Sequence, residues 1–429
     1  MRSEKLILSE IKKLTQEYIA SKSKSKTKFV HGQSTIPLSI PTYDWEESYE
    51  AIESIMTTWV TMGGKVQKFE NEFAKYVKTS YATMVDNGSN ANLLVNSILT
   101  NPLLENSIKP GDEIITPAVT FATAVYPILN VGAVPVLVDV DLTSLNISLK
   151  EIEKAITSKT RAIMPVHLLG NPCEIKGVME LAKKYNLYVI EDACDASGAE
   201  VDGQKVGSFG DFGTFSFFFT HIMSTIEGGM VVTNNEEYGQ MAKSMRSFGW
   251  VRELKDKDKI AANYPEIDPR FLFINPGYNF KVTDIQGAFG IHQLKKLDTF
   301  VSIRREAAGY WAENMKQYSD YFWIIEEKPM TKSAWYGYPI IVKPDAPFTK
   351  NELKEFLENK GVQTRPILSG NFDEQPVMKL FKYRKVGDLP NAKIIQRHSF
   401  WIGNHHGIGK EEKEAVADYI DEFMSRKLK

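Results

Sequence analysis

From Tyr81 to Asp192 the chain alternates five short apolar runs with four helix-like ones, and few folds accept that pattern. The apolar runs are YATMV, DEIIT, PVLVDV, RAIMPV and LYVIED, separated by stretches 89–100, 121–130, 149–157 and 175–186. Strands rich in Val and Ile, each followed by an amphipathic segment, predict an α/β fold with a mostly parallel sheet between helices. In such sheets ligands sit at the carboxyl ends of the strands. The residues there are the candidates for chemistry.

The rest of the chain is arranged around that block. Residues 3–20 place Leu6, Ile7, Ile11, Leu14 and Ile19 on roughly one helical face, and the SKSKSKTK that follows reads as a solvated basic tether. Two further amphipathic helices are expected over Trp45 to Trp59 and Val66 to Val77, punctuated by Gly63-Gly64. A long amphipathic segment from Asp284 to about Gln317 leads to a smaller α+β region. There YGYPIIV reads as a strand, with helices at 349–360 and 411–426. The expected division is therefore 1–35 (helix and linker), 36–300 (large α/β domain) and 301–429 (small α+β domain).

Totals exclude several classes of function. Lys+Arg 52 against Asp+Glu 54 leaves a net charge of −2, so no global basic field exists to bind nucleic acid. No apolar run approaches the length of a membrane span, and the N-terminus lacks a signal peptide's apolar core. Only Cys173 and Cys194 are present. Two thiols make no disulfide framework, fit a reducing cytoplasm, and cannot ligate an iron–sulfur cluster.

Three features fall at strand ends. In DNGSNANLL, Gly88, Ser89 and Asn90 open a helix after YATMV, and free N–H groups at a helix start suit a phosphate. Asn-Gly-Ser is equally a common turn with an N-cap. Asp192, ending LYVIED, can hold a pyridine nitrogen protonated or serve as a structural cap. Phe121, in PAVTFAT, can stack on a flat ring or pack in the core. Further on, GDFGTFSFFFTHIMSTIEGGMVVTN (residues 210–234) reads as strand, polar loop, strand, and it presents His221 at the end of a sheet.

That last stretch resembles the vitamin B6-dependent sugar aminotransferases of the DegT/DnrJ/EryC1/StrS family, whose pattern there is SF…T-K-N…GEGGM. The resemblance runs from about Ile36 onward and includes PGYNFKVTDIQGA. It implies the fold-type I (aspartate aminotransferase-like) architecture and a pyridoxal phosphate site. In that site Gly88, Ser89, Asn90 and Ser216 would meet the phosphate. Phe121 would stack on the ring, Asp192 would hold its nitrogen, and Asp195 would lie near its hydroxyl. Asn279 would reach the phosphate of a neighbouring subunit, which implies a homodimer with shared active sites.

The family's lysine tethers the cofactor covalently; counting back six residues from Glu227, that position holds His221. Imidazole cannot form the tether, but it remains an acid and base near neutral pH. This is the pattern of one branch of the family, the 3-dehydratases of nucleotide-linked 4-keto-6-deoxysugars. RSFGWVREL, GVQTRPILSGNF and FWIGNHH also resemble that branch, although it carries two adjacent His residues where this chain has His221-Ile222. The resemblance implies pyridoxamine phosphate held non-covalently and His221 as proton carrier. It further implies removal of the C3 hydroxyl of a sugar such as GDP-4-keto-6-deoxymannose or a heptose analogue, for a surface polysaccharide. A CDP-sugar subgroup draws its electrons through an iron–sulfur cluster. Without the cysteines for one, this chain would draw them from L-glutamate.

Arg246, Trp250, Arg252 and Arg365 are candidates for the substrate's diphosphate, nucleoside or carboxylate groups, because arginine forks suit such anions. Ion pairs within the fold are equally open for each. His405 and His406 have no third ligand at metal spacing, so no metal is expected. His167 is left between a structural and a substrate-facing role. Two other readings stand beside the dehydratase: an aminotransferase whose lysine became histidine, and a non-catalytic sugar-nucleotide-binding member of the fold.

Overall fold

Val, Ile and flanking glycines fix the strands, and the alternation predicted from them is the architecture found. The computed structural model describes residues 2–24 and 28–428. Its main sheet has eight strands: β1 (Tyr81–Val85), β2 (Glu113–Pro117), β3 (Val134–Val138), β4 (Thr160–Ile163), β5 (Tyr188–Asp192), β6 (Phe212–Ser216), β7 (Gly229–Thr233) and β8 (Arg384–Lys385). Their spatial order is β1-β7-β6-β5-β4-β2-β3-β8. All run one way except β7, which is antiparallel to both neighbours. β2 and β3 are buried along their whole length, as strands covered on both faces must be.

The register around β7 brings the site together. Gly229 lies opposite Ser216 on one side and Val85 on the other. The ends of β1 and β6 therefore meet over a residue with no side chain, and a Cβ on Gly229 would strike the carbonyl of Asn87. Just beyond β1, Asn87 caps the helix Gly88–Leu99 by accepting the Asn90 N–H at 2.8 Å.

A 32-residue helix, Asp284–Met315, starts at a Thr283/Gln286 capping box and crosses the whole body. The expected boundary at 300/301 falls inside it. Beyond it, a four-stranded antiparallel sheet orders Phe322–Trp323, Gly337–Val342, Ser399–Gly403 and Thr364–Arg365. Contacts cross the expected boundaries freely. β8 comes from the C-terminal part, Ile36 bridges to Val362, and one apolar core runs from Ile190 and Phe212 to Ile340 and Phe423.

Two expectations need correction. The N-terminal helix, Glu4–Lys24, packs on the helix Trp45–Met56; Leu8, Ile11, Thr15, Gln16 and Ile19 are half-buried, while Leu6, Ile7 and Leu14 are exposed. A stripe spaced three and four residues apart wins over the first apolar pair, and Lys12 lies over the Trp45 and Tyr49 rings. This helix also takes in the first half of the expected tether, of which 25–27 lie outside the described residues. The 121–130 helix is instead a 3₁₀ turn, Ala122–Ala124, followed by a short helix Tyr126–Asn130 with Pro127 in its first turn. Among the described residues no helix is long and apolar enough to cross a membrane.

Candidate active site

The carboxyl ends of β1, β5 and β6 open into a cavity of ≈ 390 Å³. Of the residues singled out from sequence it gathers Gly88, Ser89, Phe121, Asp192, Asp195, Ser216 and His221. Gly88 lies directly over Ser216. A Cβ there would stand 2.5 Å from the Ser216 Cβ and 3.1 Å from the Cys194 sulfur, so the cradle accepts no side chain. The N–H groups of the helix start face it with Ser89 at the mouth, an arrangement suited to a phosphate. Phe121 presents a free ring face, 55% exposed.

Asp192 is buried and oriented on both oxygens. Oδ2 accepts the Asn92 side-chain amide at 2.9 Å, and Oδ1 accepts the Cys194 N–H at 3.1 Å. Asp195 is carried on the turn after β5. Burial first, then the charge of Asp192, pushes its carboxyl up to about 7.

His221 hangs in the loop between β6 and β7, with its side chain 15% exposed. Its Nδ1 stands 3.6 Å from Asp195 Oδ1, too long for a hydrogen bond, and is otherwise unpartnered. Burial and the positive charge of Arg304 push the imidazole down to about 4. It is therefore neutral at physiological pH, the state a base requires. The loop closes through Ile226, a β-branched residue at φ 72, where strain of about 1–3 kcal/mol is expected.

Not every candidate reaches the cavity. Asn90 gives its amide to both Asp86 oxygens (2.9 and 3.0 Å). Asn279 is exposed and bridges to Ser247. Arg246 is fully buried and corrects the expectation of a substrate contact. Its guanidinium donates to Glu70 at 2.5 Å, to Glu253 and to the Met84 carbonyl at 2.8 Å, while Glu70 accepts the Met84 N–H. Its charge is matched by two carboxylates and pins β1. Arg252 stacks 3.9 Å from the Trp250 ring centre, with Lys281 beside it, outside the cavity. Arg365 is exposed and, among the described residues, donates only to the Thr364 carbonyl. His167 is wholly buried: Nδ1 accepts the Cys173 N–H, which leaves Nε2 to donate to Glu191, so its role is structural. The acidic group Asp44, Glu46 and Glu47 is bridged by Lys296.

Sequence reasoning missed Asn92, Thr220 and Tyr336. Asn92 had only a weak signal, a polar residue on the buried face of a helix that also buries Asn96 and Ser97. Tyr336 had none: its hydroxyl meets Thr220 at 3.1 Å and its ring lies 5.2 Å from His221, across more than a hundred residues of chain.

The DegT/DnrJ/EryC1/StrS aminotransferase family matches residues 42–421. The chain belongs to this family. Relatives of it include the GDP-4-keto-6-deoxy-D-mannose 3-dehydratase of Yersinia pseudotuberculosis, 37% identical over 374 residues (86% of this chain, 94% of that protein). The GDP-perosamine synthase of Escherichia coli O157:H7 is 32% identical over 396 residues (91% and 99%). A solved GDP-4-keto-6-deoxymannose-3-dehydratase, holding a trapped adduct of PLP with glutamate, superposes with a TM-score of 0.84 at 34% identity (90% of this chain, 99% of that one). The fold is that of the fold-type I pyridoxal phosphate enzymes. The residues of the cavity fit that cofactor: a side-chain-free cradle at a helix start, a buried acid and an open aromatic face.

Proposed function

We propose that this chain is a 3-dehydratase of a nucleotide-linked 4-keto-6-deoxysugar, working with non-covalent pyridoxamine phosphate. GDP-4-keto-6-deoxymannose or a heptose analogue is the proposed substrate, and L-glutamate supplies the amine and the electrons. One observation carries the reading: a neutral, enclosed His221, at the position where the resemblance puts the family's tethering lysine, shares one cavity with Gly88, Ser89, Phe121, Asp192, Asp195 and Ser216.

The reaction balances without a further reductant. Sugar C3–OH plus glutamate gives sugar C3–H, 2-oxoglutarate and ammonia. Bound in the cavity, the cofactor supplies an amine for the C4 ketone and an electron sink for the bond changes that follow. Gly88, Ser89 and Ser216 hold its phosphate, Phe121 covers its ring, Asp192 keeps its nitrogen protonated, and Asp195 lies beside its hydroxyl. His221 takes up one proton and returns one to the departing C3 hydroxyl.

The working unit in this reading is a homodimer in the cytoplasm. Asn279, exposed and outside its own chain's cavity, then reaches the neighbour's phosphate. Trp250, Arg252 and Arg365 remain candidates for the nucleotide. A second reading, aminotransfer, is favoured by the perosamine synthases among the relatives.

Borohydride reduction of the protein loaded with pyridoxal phosphate tests the non-covalent site. The expected result is an unchanged protein mass, with the cofactor lost on denaturation and converted to its amine form by glutamate. A mass increment at a lysine would overturn the role given to His221.

A further inference from the structure

Arg304, on the long helix Asp284–Met315, is 2% exposed, and among the described residues no carboxylate lies within ion-pair distance of it. A buried guanidinium normally has an acidic partner. This one donates instead from Nη1 to three backbone carbonyls, those of Trp335 (3.4 Å), Tyr336 (3.1 Å) and Asn404. Asn404 returns its side-chain amide to the Arg304 carbonyl at 3.0 Å and the Trp335 carbonyl at 3.2 Å. The knot holds the segment Trp335–Tyr336, where Trp335 adopts φ 47. Tyr336 leaves it with its hydroxyl on Thr220 and its ring against His221.

The groups around the imidazole come from four elements. Asp195 faces Nδ1, the Phe218 ring stands 6.2 Å away, Tyr336 covers one side, and Asp192 and Glu227 line the same cavity. Against these acids stands Arg304, which among the described residues has no carboxylate partner. Its charge also acts on His405, pushed down to about 3 by burial first and then by Arg304.

We propose that Arg304 is a positioning residue for His221: through its bond to the Tyr336 carbonyl it fixes the tyrosine that abuts the imidazole, and its charge, unmatched by a carboxylate among the described residues, helps keep the imidazole a neutral base. This rests on the reading of His221 as proton carrier. An arginine suits the task because it keeps its charge when buried, where a lysine would more readily lose its proton.

The test is an NMR titration of the cofactor-free protein with ¹³C-labelled histidine, the His221 signal being assigned by its loss in His221→Asn. In the natural protein the expected midpoint lies near pH 4. Arg304→Gln should raise it toward 6.5, by part of the depression only because burial is the larger cause, and should shift the acid limb of the kcat profile of the loaded enzyme in the same direction. Arg304→Lys should keep most of the depression while the ammonium is charged, and should lower kcat by removing the carbonyl contacts. A natural midpoint at or above 6.5, a folded Arg304→Gln with an unmoved midpoint, or an Arg304→Lys midpoint back at 6.5 would each overturn the proposal. If Arg304→Gln does not fold, the other two titrations still decide. Since neither cofactor nor sugar is present, the titration is independent of the dehydratase reading, whose own failure would appear as a sugar that keeps its oxygen.

Discussion

Asn92 donates its side-chain amide to Asp192 at 2.9 Å and accepts the Thr214 hydroxyl at 2.6 Å, so one helix residue ties β5 to β6 at the floor of the cavity. The same amide also reaches the Thr123 carbonyl at 3.0 Å, beside Phe121. The acid proposed for the pyridine nitrogen is thereby aimed by a side chain that does not itself line the cavity.

Replacing Asn92 with Ala removes that aim. One Asp192 oxygen loses its buried amide donor and the Thr214 hydroxyl keeps only the longer bond to the Glu191 carbonyl at 3.3 Å, and about 1–3 kcal/mol of stability should go with them. Pyridoxal phosphate affinity, read by absorbance titration, should fall about tenfold, equivalent to roughly 1.4 kcal/mol. Unchanged affinity would mean that Asp192 is held well enough by the Cys194 N–H alone.

Gly88→Ala should separate cofactor binding from folding. The added methyl stands 2.5 Å from the Ser216 Cβ, and relieving that overlap costs roughly 1–3 kcal/mol. The melting curve should shift modestly, while phosphate-dependent binding of pyridoxamine phosphate drops more than tenfold. Pyridoxamine without the phosphate should bind both proteins alike.

The site pair predicts a crossing in pH dependence. Asp195, raised to about 7, favours the folded state at low pH and loses that contribution as pH rises from about 4 to 7. His221, lowered to about 4, does the reverse: its contribution is present above 6.5 and is lost as pH falls toward 4. Each swing is on the order of 3 kcal/mol, so the two nearly cancel in the natural protein. Urea unfolding at several pH values should show His221→Asn gaining stability toward acid and Asp195→Asn losing it. Parallel profiles for the two variants would contradict the assignment.

Lys296 holds together Asp44, Glu46 and Glu47, the last with its side chain 0% exposed. Lys296→Met strands a buried carboxylate, for which a loss of about 3–5 kcal/mol is expected by urea titration. Glu47→Gln in the same background should restore part of it.

What the sequence made legible follows from what is local. Strand–helix alternation, the Asn87 cap, Asp192 at a strand end and His221 in its loop are all written in short stretches, and the resemblance reads the same stretches. Asn92 was readable but looked like a helix residue among others. Tyr336 reaches His221, and Arg304 reaches Tyr336, only because the long helix and the second sheet fold back over the first, and no local spacing encodes that closure. Arg246 failed for a related reason. A motif can show that an arginine is present, but not that Glu70 and Glu253 already claim it. The N-terminal stripe shifted because two registers of apolar residues fit one helix, and only the surface beneath chooses between them.

The most direct measurement is the mass of the sugar nucleotide after incubation of the protein with pyridoxal phosphate, L-glutamate and GDP-4-keto-6-deoxymannose. The dehydratase account predicts a product lighter by one oxygen, with one 2-oxoglutarate and one ammonia released per sugar. A product in which an amine has replaced the ketone oxygen, with no ammonia released, would contradict it.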